Sequence, residues 1–188
     1  ATKSMVSKGM GGARRAATTM RGVASGVGSL GEFLTSARDG NDQRVIDWLT
    51  HVRQENLSAT DLTLEILKEV IPETGSVDDE SLRNAGAEAM AQLYELYPEV
   101  DIFNLTDMQI GEVMGLTIAN EICNRIDLQL GQTYEKLKYD PLLIQERRSD
   151  IREWVGAKVR VVLEKQTTKN TDPKSLAQSI LFSALEVF

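Results

Sequence analysis

The chain is poor in the residues from which most enzymatic and metal sites are assembled. Among its 188 residues there is one cysteine, Cys123, and one histidine, His51. A single cysteine excludes an intramolecular disulfide, and one His with one Cys excludes a tetrahedral zinc site of the usual ligands. No apolar run approaches the ~20 residues that span a bilayer, and the opening ATKSMVSKGMGG lacks the apolar core of a signal peptide. With the lone cysteine set among Ile118, Ile122 and Ile126, these absences point to a reduced, cytoplasmic setting without a membrane partner. Sustained period-2 alternation is missing too: the one β-branched run, VRVVL at 159–163, lies inside a longer helical period.

Charge is present in quantity but divided unevenly. Residues 1–31 carry Lys3, Lys8, Arg14, Arg15 and Arg21 and no acid, so the +5 there leaves -12 on the remainder of a chain whose total is -7. An acidic body repels a phosphate backbone, which argues against broad nucleic-acid binding by the domain. Glycine is divided in the same way. Gly9, Gly11, Gly12, Gly22, Gly26, Gly28 and Gly31, half of the fourteen, crowd into the basic segment. Because each helix-interior glycine costs about 1 kcal/mol relative to alanine, residues 1–29 read as a flexible or partner-ordered leader. Residues 30–188 read as the folded domain.

From Leu30 onward the apolar spacing is helical. Leu30, Phe33, Leu34 and Ala37 share a face, closed by Gly40; Val45, Ile46, Trp48, Leu49 and Val52 line a second helix. Ser58 and Thr60 offer caps for a third, with Leu62, Ile66 and Val70 aligned. A fourth, in SVDDESLRNAGAEAMAQLYELYP, has an acidic first turn and an expected core face of Leu82, Ala85, Ala89, Leu93 and Leu96. Thr106 and Gln109 have capping-box spacing ahead of the most hydrophobic helix, and Asp140-Pro141 and Asp172-Pro173 each read as a cap followed by a first helical residue. The expected fold is all-α, an irregular bundle of about six or seven helices.

Candidate sites follow from what remains. GVGSLG at 26–31 spells the G-x-G-x-x-G of a dinucleotide loop, but such a loop needs a buried strand before it and a βαβ unit around it. AATTMRGVAS upstream has no strand character and only helices follow, so no cofactor is expected and the segment reads as a hinge or docking segment, poorly ordered unless a partner holds it. His51 sits at the end of an amphipathic helix, where a surface role is the default. Cys123 has mostly apolar neighbours, which raise a thiol pKa and favour core packing over nucleophilic chemistry. Asp78, Asp79 and Glu80 complement a helix dipole. The most unusual cluster is Asn120, Glu121, Asn124, Arg125 and Asp127, polar residues within the most hydrophobic helix. Asn120 and Asn124, four apart, are expected to point the same way. The cluster reads either as a solvated face with an i, i+4 Glu121–Arg125 pair or as a polar network that specifies a helix junction or partner contact. No catalytic or metal residues are expected.

Three stretches taken together carry a resemblance: GGARRAATTM at 11–20, VIPETGSVDDESLRNAGAEAMAQL at 70–93 and LTDMQIGEVMGLTIANEICNRI at 105–126. In order and spacing the chain resembles the QatB family, the B component of the Qat anti-phage defence systems, over nearly its whole length. Such systems pair this component with a QueC-like deazaguanine-chemistry enzyme, a KAP-type P-loop ATPase and a TatD-like nuclease. The resemblance implies a non-catalytic interaction subunit, bound by the QueC-like partner and a candidate for modification by it near the N-terminus. Gly11, Gly12, Arg14, Arg15 and Arg21 are the expected docking residues, and the alternative use of the same arginines is regulatory binding of nucleic acid. Family members begin with a glycine- and serine-rich leader, of which only a short stretch precedes Gly11 here. A modification carried by that leader would therefore fall outside this chain.

Overall fold

The computed structural model describes residues 20–71, 77–137, 140–166 and 172–187. Among these it contains seven helices and no strand: α1 (Arg21–Asp39), α2 (Gln43–Glu55), α3 (Ala59–Val70), α4 (Val77–Leu96), α5 (Asp107–Leu137), α6 (Pro141–Gln166) and α7 (Pro173–Val187). The sequence is thus all-α, as its period implies.

Helix ends form where side chains satisfy the orphan amides of a first turn. Asp42 accepts from the Arg44 amide and Ser58 from the Asp61 amide. Thr106 and Gln109 form the reciprocal capping box: Gln109 Oε1 accepts from the Thr106 amide at 2.9 Å, and Thr106 Oγ1 from the Gln109 amide at 3.3 Å. Asp140 and Asp172 receive the first amides of α6 and α7, each ahead of its proline. At the other end of α1, Gly40 adopts φ 62°, the left-handed conformation that closes a helix at least cost in glycine.

Helix α5 is central, packing against α4, α6, α1 and α7. Ile110, Val113, Met114, Ile118, Ala119, Ile122 and Cys123 bury it on several sides at once. Contacts of Tyr97 with Glu112, Ala85 with Asn120 and Ser81 with Glu121 run in opposite order along α4 and α5, so the two are antiparallel. The sparse aromatics are concentrated: Phe33 meets Trp48 edge to face at 5.1 Å, Trp48 meets Phe103 at 6.3 Å, and the Arg53 guanidinium lies 5.7 Å from the Phe103 ring centre. That stack joins α1 and α2 to the loop before α5. Arg38 completes the same end, donating to Asp107 at 2.6 Å and to the Leu105 carbonyl at 3.2 Å.

Two expectations are corrected. The first helix starts at Arg21 rather than Leu30, so a boundary between residues 29 and 30 falls inside a helix. Met20, Val23, Ala24, Val27 and Leu30 are all buried, and their i, i+3, i+4, i+7 spacing extends the Leu30–Ala37 stripe toward the N-terminus. Propensity argued against a helix because glycine is costly, but packing reverses the sign. A Cβ on Gly26 would lie 2.5 Å from Leu82 Cδ2, one on Gly28 2.8 Å from the Lys174 Cα, and one on Gly31 2.5 Å from the Met114 sulfur. These residues let α1 sit directly against α4, α7 and α5. The second correction concerns Leu96, which is 53% exposed while Leu82, Ala85, Ala89 and Leu93 are buried as expected. It is the last residue of α4.

Candidate functional site

Of the expected docking residues, Gly11, Gly12, Arg14 and Arg15 lie outside the described residues. Arg21 opens α1, and its side chain also lies outside the description. The GVGSLG segment is the middle of α1. Its amides are committed to a continuous helix, whereas a pyrophosphate needs free amides at a helix start, so the segment is neither loop nor hinge.

The polar cluster on α5 is where the structure brings sequence-distant residues together. Glu121 has no solvent exposure at all. Its Oε2 accepts a hydrogen bond from the Ser81 hydroxyl of α4 at 2.7 Å, and its Oε1 accepts from Arg125 Nε, also at 2.7 Å. The same guanidinium donates from Nη2 to Asp78 in the first turn of α4 at 3.1 Å. Asn120 donates to the Ala85 carbonyl of α4 at 3.2 Å. A solvated face is therefore the wrong description: the i, i+4 pair exists, but it is sunk between two helices.

Asn120 and Asn124 do not share a partner. Asn120 faces α4, whereas Asn124 accepts from Arg152 of α6 at 3.4 Å, and Arg152 also pairs with Asp127 at 3.5 Å. Both α4 and α6 pack against α5, and the two amides reach one each. Ser81 and Arg152 had no distinguishing sequence signal. Asp78 did, since it heads an acidic first turn, but its partner is Arg125 as well as the helix dipole.

A buried ion pair is costly to desolvate and holds only when its remaining lone pairs are satisfied. Both Glu121 oxygens are, which makes the cluster a specific joint: sliding α4 by one residue along α5 would strand a carboxylate in the core.

Two further titratable groups stand out by their rarity in the sequence. Cys123 is buried and its thiol is pushed up to about 12, chiefly by burial, with Arg152 opposing and Asp127 and Glu88 adding to the rise. His51 is exposed and lies 3.2 Å from Glu55. Among the described residues no group of three or more His, Cys, Asp or Glu side chains could hold a metal ion, and no helix is long and apolar enough to cross a membrane.

The class so defined is an all-α protein whose buried polar chemistry joins helices. Within that class the chain belongs to the QatB family: the family described as Qat anti-phage system associated protein QatB matches residues 11–188. It is thereby a component of the Qat anti-phage defence system. No curated protein and no solved structure matches the sequence.

Proposed function

We propose that the protein is a non-catalytic, cytoplasmic interaction subunit of the Qat system, whose basic N-terminal segment docks on the QueC-like partner while the helical body holds the assembly. The KAP-type ATPase and TatD-like nuclease are the further partners of this reading. The observation that carries it is the division of charge across a rooted helix. Residues 1–19 hold Lys3, Lys8, Arg14 and Arg15 with no acid, and the chain enters the body at Met20, which is 1% exposed, on a helix packed into the core from its first turn. A basic segment fixed at its base to an acidic body presents its charge to a partner from a defined point, and complementary charge speeds and orients such docking.

The root at Met20 sets the design of the test. Deleting residues 1–29 would remove Val23, Ala24 and Val27 from the core and confuse unfolding with lost docking. The charge-reversed full chain, Arg14→Glu with Arg15→Glu, substitutes none of the described residues. Its co-purification with the QueC-like protein is expected to be lost while its thermal unfolding is not. Retained co-purification would sink the docking reading. Intact mass of the full-length protein, leader included, made with and without that partner tests modification, an unchanged mass speaking against it.

A further inference from the structure

Glycines of the helical body fall into two groups. At Gly26, Gly28, Gly31 and Gly86 an added Cβ would lie within 2.8 Å of a neighbouring atom, so a neighbour would have to shift to admit a side chain. Gly22, in the first turn of α1, and Gly156 differ, since a Cβ at either would meet nothing within 4 Å. Gly156 lies in the interior of α6, where glycine costs about 1 kcal/mol relative to alanine. Packing within the chain does not account for it.

What Gly156 does is line a groove of about 240 Å³ between α5 and α6, beside Tyr97 at the end of α4. Leu116 and Val159 supply apolar lining, and Met108 adds a side chain that is 61% exposed. Two carboxylates, Glu112 from α5 and Glu164 from α6, line the same groove. Among the described residues neither has a cation within ion-pair distance. Glu112 accepts only the Tyr97 hydroxyl, at 3.2 Å, and its charge raises the pKa of that phenol. Arg160, on the same lining, opposes binding by cationic charge alone, so apolar contact must set the register.

An apolar groove lined by two carboxylates and one guanidinium, on a body from Met20 onward of net charge -11, is complementary to a segment that is apolar and basic together. We propose that this groove is a docking site for a basic, apolar-anchored peptide segment of a partner protein, with an apolar side chain entering over Gly156 and Lys or Arg groups meeting Glu112 and Glu164. The site is on the body, independent of the N-terminal segment, and neither reading needs the other.

The test is fluorescence anisotropy of the full chain with a labelled amphipathic Leu/Lys peptide of about 15 residues, and with a Leu/Glu peptide of the same length. The Leu/Lys peptide is expected to bind and the Leu/Glu peptide not. Gly156→Leu fills the groove without altering charge and is expected to weaken binding at least about tenfold. Glu112→Gln with Glu164→Gln alters charge without altering volume and is expected to weaken it by about tenfold and to flatten its salt dependence. If the basic peptide fails to bind, or the acidic one binds equally, the proposal is overturned. Unchanged affinity in Gly156→Leu, shown folded by its thermal melt, would mean general attraction to an acidic surface and would also overturn it. Should that variant not fold, unchanged affinity in the double Gln variant has the same force.

Discussion

Helix α5 is joined to α4, and α1 to α7, by opposite devices. At the first joint the chain places charge in the core: a fully buried Glu121 held by Ser81 and Arg125. At the second it leaves side chains out of the contact, since Gly28 and Gly31 bring the α1 backbone against Lys174 and Pro173, and its charge, the Lys174–Glu32 pair at 2.9 Å, stays at the surface. Charge specifies register because a slip leaves a buried group unpaired; missing side chains specify distance because any added atom must displace a neighbour. The two joints should therefore fail differently when perturbed.

The largest effect is expected at the charged joint. Glu121→Ala leaves Arg125 and Ser81 facing an emptied site, and breaking a buried pair in this way costs about 3 kcal/mol or more, read by urea unfolding. Glu121→Gln keeps the volume and can still accept from Ser81, so about half that loss is expected. Equal losses in the two variants would mean that shape rather than charge holds the joint.

At the glycine joint, Gly28→Ala is expected to cost about 2 kcal/mol, as overpacking does, because the obstructing atom is the Lys174 backbone. Gly22→Ala lies on the same helix in open space and is expected to gain up to about 1 kcal/mol. Thermal melts of the pair separate packing from propensity within one helix. A Gly28→Ala variant as stable as the parent would break the comparison.

Smaller effects test the periphery. Leu96→Gln is expected to change stability by no more than about 0.5 kcal/mol, since that side chain is largely exposed. The Cys123 thiol, raised to about 12, is expected to resist a thiol reagent at pH 8 until the chain is unfolded. Asp172, capping α7, is held below its ordinary 3.8 first by the Ser175 hydroxyl and then by the Ser175 and Lys174 amides. Its capping contribution is therefore full above that value and is lost as pH falls through the lower, folded pKa. Asp172→Asn, which still caps, should flatten that acid limb.

Much of the body was legible before any coordinates, and for a local reason. Caps act within one turn, so Ser58, Thr106 with Gln109, Asp140 and Asp172 announce their helices from adjacent residues. Leu82, Ala85, Ala89 and Leu93 were legible as a face because apolar spacing is a property of one helix. Residues 20–29 were misread because their glycine content was weighed by propensity alone, although Met20, Val23, Ala24 and Val27 already carried the helical spacing. Glu121 was identified as unusual, but its burial depends on Ser81, forty residues away on another helix. Gly156 carried no signal, since an open glycine and a required one are the same letter.

By itself the sequence determined the all-α class, the order and capping of the helices, the split between a basic head and an acidic body, and, through residues 11–188, the family. Those properties depend on short-range spacing, on summed charge and on the ordered recurrence of blocks along one dimension. Only the tertiary structure decided that GVGSLG is buried helix, that Glu121 lies between α4 and α5 and not in solvent, and that Asn120 and Asn124 face different neighbours. Each of these is set by which helix stands opposite, and burial, ion pairing and close approach are properties of two surfaces meeting rather than of either one alone.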